Sequence, residues 1–211
     1  MKIKKFIFNP IQVNTYVLYD ETRECIIIDP GCSNNAECEA LKEFIASNSL
    51  KPKLAINTHG HFDHILGNTF VKNEYQVPII LHELDLDYVK NAVEIGVSFG
   101  MQIDSPPLPD QYVNENDFIE FGNSSFKVLH CPGHSPGGIA LYSKEHLVLI
   151  SGDVLFSSSI GRTDLPGGDY STIIRSIKEK LLVLDNNTVV YPGHGNETSI
   201  GAEKKMNPFL A

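Results

Sequence analysis

The chain is short of positive charge. Its 211 residues include 17 Lys and Arg against 26 Asp and Glu, which gives a formal net charge of −9. A protein that neutralises phosphates does so with Lys and Arg, so this balance argues against a general nucleic-acid-binding protein, although it leaves room for a local basic pocket.

Long apolar runs are also missing. No stretch is apolar for long enough to cross a membrane. The beginning of the chain, residues 1–6, carries charges but lacks the apolar core of a signal peptide, and Pro10 follows soon after. We therefore expect a cytoplasmic protein without a membrane partner.

Cysteine is scarce and is not arranged in pairs. The four cysteines, Cys25, Cys32, Cys38 and Cys131, show no CxxC spacing. For a chain without a leader this pattern argues against a disulfide framework and predicts reduced thiols. Cys131 precedes His134 by three residues. It is either a neighbour of a metal site or a small buried packing residue, and we favour packing.

No linker, low-complexity tract or close repeat divides the chain, so we expect one domain over residues 1–211. Apolar or alternating runs predict strands over residues 3–8, 14–19, 25–29, 54–58, 78–81, 118–121, 125–130, 139–143, 147–151 and 188–191. Amphipathic spacing predicts helices over residues 35–47, 64–74, 83–95 and 171–184.

These elements indicate two sheets packed together with helices outside, although the pattern by itself is compatible with both α/β and α+β proteins. Asn34 is the predicted N-cap of the first helix. Residues 96–112 contain several Gly and Pro and have no regular period, so they predict a long loop, which is either a functional lid or a surface crossing.

One short run carries the strongest chemical signal. In the segment Thr58–His64, three imidazoles (His59, His61 and His64) and one carboxylate (Asp63) fall within six residues. Imidazole and carboxylate are the usual non-sulfur ligands of zinc and similar metals. Because four such groups would be crowded around one ion at this spacing, the run predicts two neighbouring metal ions.

Three further candidate ligands follow at the ends of separate predicted strands. His134 lies in a turn rich in Gly and Pro, Asp153 follows Gly152, and His194 follows Gly193. Loops at strand ends are where a rigid scaffold presents catalytic groups. Any one of these residues alone would be read as a structural His or a turn-forming Asp, and it is their joint occurrence with the His59 run that favours metal binding. His82, His130 and His146 lack such a context and are interpreted as structural or surface residues, with a supporting role behind the metal ligands as the alternative for His82 and His130.

With these motifs the sequence resembles the metallo-β-lactamase-fold hydrolases, and within them the glyoxalase II-like (hydroxyacylglutathione hydrolase-like) branch. The resemblance covers nearly the whole chain and is carried by four segments, which are residues 58–64, 132–137, 152–153 and 192–194. It implies an α/β fold, an αββα sandwich of two mixed β-sheets flanked by helices.

The resemblance also implies a dinuclear centre of two divalent ions, with zinc expected and iron or manganese as alternatives. The seven implied ligands are His59, His61 and His134 for the first ion, Asp63, His64 and His194 for the second, and Asp153 bridging both. Asp63 and Asp153 would be the catalytic carboxylates among them.

Differences between this chain and other families of the same fold exclude several alternative assignments. β-Lactamases of this fold that share the HxHxDH run usually carry Cys at the position of Asp153 and are exported, and neither feature fits. Flavodiiron oxygen reductases place Glu at the position of His61, and nucleases of this fold carry an inserted domain. Glyoxalase II proper adds a C-terminal helical domain, for which too few residues follow His194.

Arg162 falls where glyoxalase II has a lysine that contacts the glutathione carboxylate, so we expect it to bind substrate, although it could instead pair with Asp164. Two substrate-binding tyrosines of that family are replaced here, by Asp164 and Asn196. The resemblance to glyoxalase II therefore supports the type of reaction more strongly than it supports the substrate.

The expected function is hydrolysis of a hydroxyacyl thioester, such as S-lactoylglutathione, by water that two metal ions activate. One alternative is a mononuclear-iron persulfide dioxygenase on the same fold, which would use only His59, His134 and Asp153. Another is a metal-binding or interaction module with a degenerate site, which is disfavoured because none of the seven implied ligands is missing.

Overall fold

A computed structural model describes residues 1–210. Contacts within the chain group them into two compact units. The N-terminal unit comprises Met1–Tyr112 together with Glu120–Ser124. The C-terminal unit comprises Val113–Ile119 and the chain from Ser125 onwards.

The N-terminal unit contains a six-stranded mixed sheet in the order β1-β2-β3-β4-β5-β6. Its strands are β1 Lys2–Phe8, β2 Val13–Tyr19, β3 Glu24–Ile28, β4 Lys51–Ile56, β5 Ile79–Leu81 and β6 Gln111–Tyr112. The pairs β1–β2 and β2–β3 are antiparallel, whereas β3 to β6 run parallel.

Five helices accompany this sheet. They are α1 Asn35–Ser47, α2 Phe62–Ile65, α3 Asn68–Tyr75, α4 Leu86–Lys90 and α5 Ala92–Ser98. The Asn34 side chain accepts a hydrogen bond from the Glu37 amide, which confirms the predicted N-cap of α1. Leu41 and Ile45 of this helix join Val71 of α3 in a buried apolar cluster with side chains of the sheet.

Most of a second mixed sheet, in the order β14-β13-β10-β9-β8-β7, belongs to the C-terminal unit. Its strands are β7 Phe118–Phe121, β8 Ser124–His130, β9 Ile139–Ser143, β10 Val148–Gly152, β13 Val189–Pro192 and β14 Thr198–Ser199, and a separate hairpin is formed by β11 Leu155–Phe156 and β12 Ser159–Ile160. The pair β10–β13 is parallel, whereas the pairs β8–β9, β9–β10 and β13–β14 are antiparallel.

Two helices belong to this unit, α6 Tyr170–Ser176 and α7 Ile200–Met206. A π-helical segment, Ile177–Leu181, continues directly from α6. Ile173, Ile177 and Leu181 point into an apolar cluster with β8, β10 and β13, as the predicted amphipathic pattern requires.

Several predicted boundaries are wrong. The helix predicted over residues 64–74 is two helices, α2 and α3, because the chain turns at Gly67, whose amide donates to the Pro30 carbonyl at 2.7 Å and not to the preceding helical turn. The helix predicted over 83–95 is a 3₁₀ turn followed by α4 and α5.

The predicted loop over residues 96–112 is shorter than expected, because α5 continues to Ser98 and β6 pairs with β5. The sequence pattern does not predict the short strands β11, β12 and β14, since runs of two residues carry no periodic signal. It also misses the seven-residue helix α7. Among the described residues no helix is long and apolar enough to cross a membrane.

Strand register brings the candidate ligands to one edge within each unit. Ile28 of β3 pairs with Ile56 of the parallel strand β4, so Asp29 and the His59 run leave the sheet side by side. In the C-terminal unit Gly152 of β10 pairs with Pro192 of β13, which places Asp153 and His194 at the same edge.

Candidate metal-binding residues

The four candidate ligands of the N-terminal unit lie at the junction between β4 and α2. His59, His61, Asp63 and His64 are all buried. The ring centroid of His59 is 4.7 Å from that of His61 and 4.1 Å from that of His64. The Asp63 carboxylate follows the turn into α2 and comes within 3.7 Å of His64 Nε2. The predicted cluster within this segment therefore forms.

A buried carboxylate, Asp29, supports these imidazoles from behind. Its Oδ2 lies 3.0 Å from His64 Nδ1 and accepts from the Thr58 hydroxyl at 2.7 Å, while its Oδ1 accepts from the Thr58 amide, also at 2.7 Å. The Thr58 hydroxyl in turn lies 3.1 Å from His59 Nδ1. A partner on Nδ1 orients the ring and makes Nε2 the nitrogen available as a metal ligand.

Sequence reasoning missed Asp29, which it treated only as the end of a strand. The signal that could have found it is its position before Pro30 and Gly31 at the end of an apolar strand. The residue has a φ of 48°, in the left-handed region that only a few non-glycine residues adopt. Such backbone geometry in a buried carboxylate is typical of a functional site.

Two asparagine side chains brace the same segment through its backbone. Asn57 Nδ2 donates to the His64 carbonyl at 3.1 Å. Asn9 Nδ2 donates to the carbonyls of Asp63 and Gly31, each at 3.0 Å. The turn into α2 is therefore held by side chains that are distant in sequence.

The three candidate ligands of the C-terminal unit converge on Asp153. Its Oδ2 is 3.6 Å from His134 Nε2 and 3.5 Å from His194 Nε2. His134 and Asp153 are buried, whereas the His194 side chain is 25% exposed. His134 Nδ1 lies 2.8 Å from the Arg162 carbonyl oxygen, so here also Nδ1 has a partner and Nε2 faces the carboxylate.

Glycines allow the loops of this unit to approach each other closely. A Cβ on Gly161 would lie only 1.8 Å from the Asp153 carbonyl oxygen. Gly133 has a φ of 131°, and a Cβ there would lie 2.2 Å from the Ile173 amide nitrogen. The loops that carry His134 and Asp153 consequently depend on residues without a side chain.

The spacing of these donor atoms suits metal ligation. Two ligand atoms on a tetrahedral zinc, each about 2.0–2.1 Å from the ion, are about 3.3–3.4 Å apart. The imidazole-to-carboxylate distances of 3.5, 3.6 and 3.7 Å are close to that value and longer than an ordinary N–H···O hydrogen bond. Donor type and spacing together fit divalent metal ions, and metal binding is what these residues can do chemically.

The side chain of Arg162 is engaged by Asp164. Nε and Nη2 of the guanidinium donate to the two carboxylate oxygens at 2.7 and 2.6 Å. Hydrogen bonding to Arg162 lowers the pKa of Asp164 to about 2. Both side chains are more than half exposed, so a substrate anion has access to the guanidinium but must compete with Asp164.

The remaining candidates behave as structural residues. The Cys131 side chain is buried, and burial raises the pKa of its thiol to about 12, so it stays a neutral packing group. All four cysteines are free thiols. His82 Nδ1 accepts from the Leu84 amide, and His130 Nε2 lies 2.9 Å from the Pro136 carbonyl oxygen.

Comparison with known proteins connects these residues to one family. A family model described as the metallo-beta-lactamase superfamily matches residues 8–194. The chain is 38% identical to a hydroxyacylglutathione hydrolase, GloC, of Haemophilus influenzae, and the match covers 100% of the chain and 98% of that protein. It is 37% identical to a probable metallo-hydrolase, YqgX, of Bacillus subtilis, again over 100% and 98%.

Solved structures agree with this result. The crystal structure of BLEG-1, described as a B3 metallo-beta-lactamase, has a TM-score of 0.92 and 38% identity, with both chains covered completely. TTHA1623 in a di-iron-bound form has a TM-score of 0.89 and 38% identity, covering 98% of this chain and 100% of that one. ETHE1 of Myxococcus xanthus has a TM-score of 0.81 and 25% identity, covering 99% and 84%. The predicted fold class is confirmed.

Proposed function

The chain belongs to the metallo-beta-lactamase superfamily, and on that premise we propose that it is a metal-dependent hydrolase of hydroxyacyl thioesters such as S-lactoylglutathione. The observation that carries the proposal is the full-length similarity to a hydroxyacylglutathione hydrolase together with the presence of every ligand type that the family resemblance requires.

The proposed cofactor is a pair of divalent ions, with zinc first and iron or manganese as alternatives. By family resemblance we assign the first ion to His59, His61 and His134, the second to Asp63, His64 and His194, and the bridge to Asp153. Bound there, two such ions would lower the pKa of a shared water from about 15.7 toward about 7 and so supply hydroxide near neutral pH.

The chain's own residues prepare this reaction by orientation. The Asp29 carboxylate holds His64, the Thr58 hydroxyl lies against His59, and the Arg162 carbonyl lies against His134. Because these partners fix the orientation of each ring, Nε2 faces a metal ion without further rearrangement. Hydrogen bonds of this kind to the non-ligating nitrogen increase metal affinity.

A thioester substrate fits the absence of an assigned general acid. The leaving group is a thiolate whose parent thiol has a pKa of about 8.5, so it departs with little proton donation. The backbone carbonyl of Arg162 lies against His134, and its side chain is exposed at the surface. The Arg162 guanidinium is therefore the proposed contact for a carboxylate of the thiol carrier.

The test is hydrolysis of S-lactoylglutathione by purified protein loaded with zinc, measured as release of free thiol. We expect His59→Ala to abolish turnover, and His146→Ala, in the connection between β9 and β10, to leave it unchanged. Full activity in His59→Ala or after complete chelation would contradict the proposal. Because of the similarity to BLEG-1, a chromogenic β-lactam is assayed in parallel. Faster turnover of the β-lactam than of the thioester would contradict the proposed substrate and indicate a β-lactamase.

A second candidate is an iron-dependent persulfide dioxygenase that uses His59, His134 and Asp153. The di-iron-bound structural relative is the observation that favours examining iron. Metal analysis of the purified protein, combined with oxygen uptake in the presence of glutathione persulfide, separates the two reactions. One iron per chain with oxygen consumption would identify the dioxygenase, whereas two ions and thiol release would identify the hydrolase.

A further inference from the structure

Asp85 is a buried carboxylate that contacts the metal-ligand segment from outside the predicted ligand set. It directly precedes α4, and its relative exposure is 0%. Its Oδ2 accepts a hydrogen bond of 2.9 Å from the amide of Gly60, the residue between His59 and His61. Burying a carboxylate is costly unless hydrogen bonds compensate, and the bond from the Gly60 amide supplies part of that compensation.

The chain around Gly60 is closely packed against the turn that carries Asp85. A Cβ on Gly60 would lie 2.7 Å from the Asp85 carbonyl oxygen and 3.0 Å from Tyr88 Cβ. The Tyr88 ring meets the His61 ring edge to face, with centroids 4.8 Å apart. Close packing against Asp85 and Tyr88 therefore restricts the position of the segment between His59 and His61.

Sheet register explains how residues 25 positions apart come together. Ile56 of β4 pairs with Ile80 of the parallel strand β5, so both strands end at the same edge. The chain leaving β4 leads to Gly60, and the chain leaving β5 leads to Asp85. Asp29 holds Thr58 and His64, and Asp85 is placed to hold the stretch between them.

We propose that Asp85 is a positioning residue for metal binding, whose carboxylate fixes the Gly60 amide and thereby places the imidazoles of His59 and His61. The inference rests on the proposed function, because it requires these histidines to bind metal. A hydrogen bond that orients a ligand-bearing segment affects metal affinity, and loss of such outer partners typically weakens binding about 10–100-fold.

The chain offers a matched control in Asp87. This residue lies in α4, two positions from Asp85, and carries the same charge. Its side chain is 87% exposed and only approaches Lys90, at 3.6 Å. Asp87→Ala thus removes a carboxylate from the same region without touching Gly60.

The experiment measures Zn²⁺ affinity of the full chain by competition with a chromogenic chelator, and the visible absorption of the Co²⁺-substituted protein. We expect Asp85→Ala to bind Zn²⁺ about 10–100-fold more weakly and to change the Co²⁺ spectrum. Asp85→Asn keeps an acceptor oxygen and should recover most of the affinity, while Asp87→Ala should match the wild type.

Three results would overturn the inference: wild-type affinity in Asp85→Ala, equal weakness in Asp85→Asn and Asp85→Ala, or equal weakness in Asp87→Ala. If Asp85→Ala does not fold, Gly60→Ala disturbs the same contact from the other side and must weaken Zn²⁺ binding. A wild-type protein that binds neither ion would overturn both proposals. A wild-type protein that binds zinc but leaves thioesters intact would overturn only the substrate assignment.

Discussion

The two units supply candidate ligands in different ways. In the N-terminal unit all four come from one six-residue segment at a single strand-to-helix junction. In the C-terminal unit the three come from the ends of three strands, β8, β10 and β13, and meet at Asp153. The N-terminal ligands form a local sequence motif that residues distant in sequence support through hydrogen bonds. The C-terminal ligands are brought together by the pairing of strands.

Burial distinguishes His194 from the other six candidate ligands. The His64 side chain is completely buried against the Asp29 carboxylate, whereas the His194 side chain is 25% exposed. Ligands in the first segment are therefore part of the core as well as candidates for chemistry. In the C-terminal unit His134 and Asp153 are buried as well, and it is His194, partly in water, that contributes less to the stability of the fold.

The largest expected effect tests this difference directly. His64→Ala should lower the free energy of unfolding of the metal-free protein by about 3 kcal/mol, because it removes a hydrogen-bond partner from a buried carboxylate and leaves a cavity. His194→Ala should cost less than about 1 kcal/mol, since the side chain is partly in water. Urea unfolding after chelation measures both, and both variants should lose hydrolysis. Equal destabilisation would contradict this distinction between the buried and the partly exposed histidine.

The next effect concerns the glycines that bring the loops together. Gly161→Ala should destabilise the protein by about 1–3 kcal/mol, because its Cβ would collide with a backbone oxygen that cannot move independently. Gly60→Ala should cost less, since the corresponding distance is 2.7 Å rather than 1.8 Å. Thermal melting of the metal-free variants compares them. A smaller loss in Gly161→Ala than in Gly60→Ala would show that the loop around Asp153 yields more easily than its geometry indicates.

The smallest effect is expected at the exposed pair of Arg162 and Asp164. The pKa of Asp164 is lowered in the folded protein, so any stabilisation from this pair is fully present above the unfolded pKa of about 3.9 and is lost as the pH falls toward about 2. Between pH 5 and 8 Asp164→Asn removes this contribution in full, but because both side chains are exposed the contribution is small, and the melting temperature should change by no more than about 1 °C.

The same variant sharpens the proposed substrate role. Freed from Asp164, Arg162 should bind an anionic thioester more tightly, which lowers KM while kcat stays constant. Arg162→Ala should raise KM without changing metal content. An unchanged KM in both variants would exclude Arg162 as a substrate contact.

Part of the site could be read from the sequence because its information is local. The His59 run needs no long-range contact to be recognised, and Asn34 caps α1 through a residue three positions away. The alternation and apolar runs of β1 to β3 likewise predict strands within one residue of those observed. Such features depend on neighbours along the chain, which a sequence displays directly.

Other parts depend on pairings that no local pattern encodes. Asp29 acts on His64 only because β3 and β4 run parallel in one register, and Asp85 reaches Gly60 only because β4 and β5 do. At the break between α2 and α3 the Gly67 amide donates to the distant Pro30 carbonyl at 2.7 Å.

The sequence by itself determined the chemical type of this protein, since seven imidazole and carboxylate groups at strand ends are visible in the order of residues. The tertiary structure decided which nitrogen of His59, His64 and His134 is presented, and which buried carboxylates support the ligand segment. The physical reason is that ligand identity is a property of single residues, whereas orientation is a property of hydrogen bonds between segments that only strand pairing brings into contact.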